Sequence, residues 1–162
     1  MTVASYTLCF AYGSNMNEAQ LKKRCTKSHF LCRALLPEHR FVITSRGYSS
    51  VVPHAGGKAH GVLIALTEPD EKSLDKYEHV AEGMYRRAWL DVVTEFGYSV
   101  PALIYIDDIG GEGPPKPGYL ERILEGARRH ALPPHAIAEI ETWAKLKSRI
   151  RSLRGETTNG HE

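Results

Sequence analysis

Leu74-Asp75-Lys76-Tyr77-Glu78-His79-Val80-Ala81-Glu82-Gly83-Met84-Tyr85 reads as the last turns of a short helix, a tight turn at Gly83 and the first residues of a strand. Just upstream, Thr67-Glu68-Pro69-Asp70 has the marks of a helix start: a hydroxyl cap, an early proline and an acidic first turn. Leu74 and Glu78 are four apart and share a helix face. If Leu74 enters the core, the Glu78 carboxylate follows it, and Lys72, Asp75 and Lys76 are left for water. A carboxylate turned inward costs free energy unless it is paired or has a task.

Working outward, Tyr6 to Tyr12 alternates as a strand, with Tyr6, Leu8 and Phe10 on one face and Thr7, Cys9 and Ala11 on the other. It runs into Gly13-Ser14-Asn15, a turn, after which Asn17 caps a short helix through about Arg24. Backbone amides converging at a strand end beside a helix start form a natural anion cradle, although a plain strand-turn-helix junction has the same signature. Mixed apolar segments follow at Leu31 to Leu36 and Phe41 to Thr44, with a hairpin turn expected at Gly56-Gly57. Gly61 to Leu66 is a continuous apolar run, as in a strand buried on both faces. Met84 to Glu95 and Ser99 to Asp107 predict a hairpin closed at Phe96-Gly97-Tyr98. Beyond the proline- and glycine-rich loop 110–117, Leu120, Ile123, Leu124, Ala127 and Ala131 mark a helix, broken at Leu132-Pro133-Pro134. A last helix from about His135 carries Ile137, Ile140, Trp143, Leu146, Ile150 and Leu153 on one stripe. Short strands followed by helices predict an α+β fold: a small, mixed but mainly antiparallel barrel or twisted sheet flanked by helices.

With 162 residues, the chain is expected to form one domain over 1–154, followed by a disordered tail at 155–162. A hydrophobic content of 42%, a charged content of 25% and a net charge of +2 suit a soluble domain and lack the basic excess of a nucleic-acid binder. No apolar run reaches membrane-spanning length, and the first residues do not resemble a targeting signal, so a cytoplasmic protein is expected. Cys9, Cys25 and Cys32 are odd in number and form no close pair, which points to free thiols.

Eight histidines raise the question of a metal, but no His-x-x-x-His or paired-cysteine spacing occurs, and His29-x-x-Cys32 has no second half. No metal and no cofactor are expected. Cys9 on an alternating strand reads first as a buried small hydrophobe, not a nucleophile. Lys145, Lys147, Arg149, Arg151 and Arg154 read as the solvated side of the last helix, diluted by Glu139 and Glu141. Glu78 stands apart because it faces inward and precedes a glycine and a tyrosine at short intervals. The alternative is structural: a salt bridge to Arg86 or Arg87, or a hydrogen bond at the helix end.

Three blocks then occur in order: Phe10-Ala11-Tyr12-Gly13-Ser14-Asn15; Leu74-Asp75-x-x-Glu78-x-Val80-x-x-Gly83-x-Tyr85; and Pro117-x-Tyr119 with Gly126-Ala127 and Leu132-Pro133. Together, over roughly residues 5 to 135, the chain resembles the gamma-glutamylcyclotransferase (AIG2-like) family. The resemblance implies a small barrel with flanking helices and a cofactor-free reaction. In it, the α-amine of a gamma-glutamyl compound attacks its own γ-carbonyl, giving 5-oxoproline and a released amine or amino acid. It also implies Glu78 as general acid/base, Tyr12, Gly13, Ser14 and Asn15 as the substrate-binding loop, and Tyr85 and Tyr119 as tyrosines of the pocket. The partner implied is a small gamma-glutamyl molecule. A non-catalytic binder of carboxylate or gamma-glutamyl ligands with the same cavity is the alternative. Two positions depart from the pattern: His79 stands where glycine is common, and Ala136 where a tyrosine is expected.

Overall fold

The computed structural model describes residues 5–153, with side chains through Lys145. The elements run β1 (Thr7–Ala11), a short 3-10 turn (Ser14–Met16), α1 (Glu18–Arg24), β2 (His29–Ile43), β3 (Ser49–Leu66), α2 (Glu68–Tyr77), β4 (Arg86–Thr94), β5 (Ser99–Ile106), α3 (Tyr119–Arg129) and α4 (Pro134–Leu153). The strands close into a barrel in the order β1-β3-β2-β4-β5. Every neighbouring pair is antiparallel except β1 with β5, which meet in parallel at Cys9 and Leu103. This is the mixed, mainly antiparallel barrel with outer helices that the sequence predicts.

The local signals act as expected at both ends of α2. The Thr67 side chain accepts from the Asp70 N–H, Pro69 lies in the first turn, and Leu74 is fully buried. Burying one such leucine stabilises the fold by roughly 1.5–3 kcal/mol. Glu78 follows as the C-cap, its N–H bonding to Leu74 O at 2.9 Å, so the i,i+4 relation holds although Glu78 itself lies just past the helix. The β4–β5 hairpin closes at Gly97, as predicted, with Gly97 N bonded to Thr94 O.

The expected hairpin turn at Gly56-Gly57 is a correction. β3 runs straight through these residues, and the turn between β2 and β3 lies instead at residues 44–48, where Gly47 has φ +87°. Pairing skips from Pro37–Lys58 to His39–Pro53, so residues 54–57 bulge opposite Glu38. A bulge re-aims a long strand and raises its twist, which lets the 15- and 18-residue strands bend around the barrel. Gly56, at φ +75°, serves a bulge as readily as a turn, and Gly57 is needed only because a Cβ would sit 2.5 Å from His39 O, so the glycine pair is ambiguous locally.

One apolar cluster draws on the strands and on Tyr12 just past β1, and fills the barrel: Phe10, Leu36, Val51, Leu63, Val92 and Ile104 are among its members. A second joins the outer faces of the strands to the helices through Ile64, Leu103, Leu74 (α2), Ile123 (α3) and Ile140 (α4). The chain's continuous run Gly61 to Leu66 is buried throughout because it is shared by both. On α4, Ile140 is buried and Ile137 and Trp143 partly so. The predicted stripe positions Leu146, Ile150 and Leu153, the basic residues 147–154 and the tail 155–162 lie outside the described side chains. Among the described residues, no helix is long and apolar enough to cross a membrane.

Candidate active site

The end of β1 delivers Tyr12 and Gly13 into the 3-10 turn, whose first N–H groups have no partner within the turn. Gly13 has an ordinary φ of −121°, so its need for glycine is spatial: a Cβ there would sit 2.2 Å from Ser49 Oγ. Asn17 anchors the turn on both sides. Its Oδ1 accepts from Gln20 N at 3.2 Å, capping α1, while Nδ2 donates to Arg122 O and Glu125 Oε2 of α3, both at 3.1 Å. Gly126 of α3 lies against this turn so closely that a Cβ would meet the Met16 carbonyl carbon at 2.6 Å.

Glu78 meets the turn from the opposite side. Asn15 Nδ2 donates to Glu78 Oε1 at 3.1 Å. The structural alternative fails for both arginines. Arg86 pairs with Asp108, and Arg87 holds Asp75 at 2.7 Å and Glu71 at 2.6 Å. Burial pushes the Glu78 carboxyl up to about 7, against the lowering effects of the Asn15 hydrogen bond and of the Arg24 and His79 charges. Its side chain is half-buried because it lines a cavity and is not packed over.

That cavity, about 630 Å³, is large enough for a small metabolite. Tyr12, Gly13, Ser14, Asn15, Glu78, Tyr85 and Tyr119 all line it, so the fold gathers every site residue named from the sequence at one place. The tyrosines are held by their hydroxyls. Tyr119 OH accepts from Ser49 N at 3.1 Å and is hydrogen-bonded to Ser49 Oγ at 2.8 Å; Tyr85 OH donates to Ser49 O at 2.8 Å; Tyr12 OH donates to Tyr105 O. Burial raises the Tyr119 phenol to about 12, so it stays protonated.

Sequence reasoning missed Arg24, Tyr48, Ser49, Tyr77 and Tyr105, which also line the cavity. In the sequence Arg24 marks only the approximate end of α1, and no spacing or motif singles out Ser49. Asp75 was expected to be free for water, but it accepts from Arg87 and from Tyr105 OH, and so ties α2 to β4 and β5. A positional hint existed only for His79: it sits at φ +52°, in the left-handed region that favours glycine.

Residues 9–121 match the family described as gamma-glutamyl cyclotransferase, AIG2-like. The chain belongs to that family. Among curated relatives of this AIG2-like chain, a human protein named gamma-glutamylcyclotransferase is 29% identical over 151 residues, covering 87% of this chain and 77% of the human one. Its mouse namesake is 27% identical over 136 residues, covering 78% and 72%. A solved structure named gamma-glutamyl cyclotransferase matches with a TM-score of 0.79 at 25% identity, over 85% of this chain and 87% of that one. YkqA from Bacillus subtilis, at 24% identity and a TM-score of 0.75 over 87% of this chain and 55% of its own, shares the fold. The matched span of the family runs from β1 to the start of α3, and therefore includes the turn, Glu78, Tyr85 and Tyr119.

Proposed function

We propose that this AIG2-like protein is an enzyme that cyclises a gamma-glutamyl amino acid or gamma-glutamyl amine to 5-oxoproline, releasing the amine, with Glu78 as general acid/base. The observation that carries the reading is the Glu78 carboxyl: it lines the cavity, has the Asn15 amide as its hydrogen-bond partner, and has a proton affinity near neutrality. Such a group ionises and reprotonates within the working range, as a proton shuttle must.

The substrate's α-ammonium cannot attack until it loses a proton. Ionised Glu78 takes that proton, and the freed amine attacks the γ-carbonyl to close a five-membered ring. The carbonyl oxygen gathers negative charge. As the tetrahedral intermediate collapses, Glu78 gives its proton to the leaving nitrogen and the amine departs neutral. The carboxylate so freed takes the second proton from the positively charged ring nitrogen, leaving the lactam N–H, and passes it through water to the released amine. One carboxyl serves both steps because ring closure keeps both nitrogens beside it, and no covalent enzyme intermediate is needed.

The N–H groups of Gly13, Ser14 and Asn15 suit the substrate's α-carboxylate. The tyrosine walls, pinned through Ser49, would fold the chain so that amine and carbonyl meet; positioning of this kind is worth roughly 7–11 kcal/mol.

The test is incubation with gamma-glutamyl-alanine and gamma-glutamyl-lysine, with 5-oxoproline as readout. Glu78→Gln keeps shape and loses the base, so a folded but inactive variant is expected. Saturable ligand binding without product in the wild type would favour a binding protein instead.

A further inference from the structure

A carboxamide offers a donor at one end and an acceptor at the other, and a half-turn exchanges them. For Asn15 the choice matters: one orientation gives Glu78 a donor, which favours the carboxylate, and the other gives it an acceptor, which favours the protonated acid. Arg24 decides between them. Its Nη1 donates to Asn15 Oδ1 at 2.6 Å and to Ser14 Oγ at 3.0 Å. A guanidinium has no acceptor, so Oδ1 must face Arg24 and Nδ2 is left for Glu78.

The guanidinium is itself fixed from its far side. Nη2 donates to Gln20 Oε1 at 3.1 Å and to Tyr77 OH at 2.5 Å, and the guanidinium carbon lies 3.7 Å from the centre of the Tyr77 ring. Ser73 Oγ donates to Arg24 O at 2.6 Å, joining the end of α1 to α2. Tyr77 immediately precedes Glu78. Arg24 therefore grips both the amide that touches the carboxyl and the residue next to the one that carries it.

We propose that Arg24 is a positioning residue that locks the Asn15 carboxamide with its donor toward Glu78, and so sets the pH at which that carboxyl becomes a base. The inference rests on the reading of Glu78 given above. Other groups around Glu78 do not replace it. Lys23 of α1 and Lys76 of α2 are exposed at the cavity rim, and His79 is exposed and faces Glu82 at 3.8 Å. The phenols of Tyr12, Tyr85, Tyr105 and Tyr119 and the Cys9 thiol, arriving from the other elements, are all pushed up by burial and stay neutral.

The experiment titrates the Glu78 carboxyl in the free protein by carbon-13 NMR, its signal assigned by its loss in Glu78→Gln. Arg24→Met removes donor and charge and should raise the midpoint by about one pH unit or more. Arg24→Lys, which keeps both, should return most of the shift. If the methionine variant does not fold, Arg24→Gln, which removes the charge and keeps a polar side chain of similar length, takes its place with the same expected rise. In an Asn15→Ala background the same Arg24→Met change should move the midpoint less than in the wild type. An unmoved midpoint in folded Arg24→Met, or an equal shift with and without Asn15, would overturn the inference. Turnover by Glu78→Gln separates the two failures: an active glutamine variant removes the reading of Glu78, whereas an inactive one beside an unmoved titration removes only the role of Arg24.

Discussion

Asn15 and Glu78, 63 residues apart in sequence, share a hydrogen bond of 3.1 Å between the first turn after β1 and the residue that caps α2. The bond joins the proposed substrate-binding loop to the proposed proton carrier. It lowers the carboxyl's proton affinity while burial raises it, and burial wins.

The first consequence is a pH profile. In the proposed mechanism only ionised Glu78 takes the substrate's proton, so kcat/KM is expected to rise with pH through a limb centred near 7, where the carboxyl titrates. A rate profile of 5-oxoproline release from pH 5 to 9, flat or falling across about 6 to 8, would contradict the assignment.

The same shift acts on stability. The folded protein binds more protons at Glu78 than the unfolded chain between the ordinary carboxylate value of 4.5 and about 7. The stabilisation this gives is complete below that window and is lost as pH rises through it. Glu78→Gln should abolish this slope and be more stable than the wild type at pH 8 by about 1–2 kcal/mol, a figure reduced because the carboxyl lines an open cavity. Urea unfolding of both proteins at acidic and alkaline pH checks the sign.

Gly126→Ala tests how α3 positions the turn. The added Cβ would lie 2.6 Å from Met16 C and 2.8 Å from Asn17 N, backbone atoms that cannot swing aside. A loss of about 1–3 kcal/mol is expected from the forced shift, with a fall in kcat because the displaced turn carries Ser14 and Asn15. Gly83→Ala is the control. Gly83 has φ +78° and open space around it, so that variant should lose about 1 kcal/mol of stability from backbone strain alone.

His79→Gly should stabilise the fold by about 0.5–1 kcal/mol, since it removes a side chain from the left-handed region. The contact surrendered is an exposed one, 3.8 Å from Glu82. A thermal midpoint that falls instead would mean that the imidazole has a structural partner of consequence.

The sequence by itself determined what depends on neighbours a few residues away. Thr67 and Pro69 start α2, Asn17 caps α1, Gly97 closes a hairpin, and Glu78 follows Leu74 by one helical turn toward the interior, because dihedral preferences and periodicity are local properties. The same locality misled at Gly56-Gly57, where a bulge and a turn ask for the same backbone angles, and at Asp75, whose partner Arg87 stands on a strand that joins it only in three dimensions. Only the closed barrel decided that Ser49 would pin both Tyr85 and Tyr119, that Glu78 would meet the Asn15 amide, and that Gly126 would seat the loop. Those contacts link distant stretches of chain, and such pairings are fixed when the strands close and the helices pack over them, not by the preferences of any single segment.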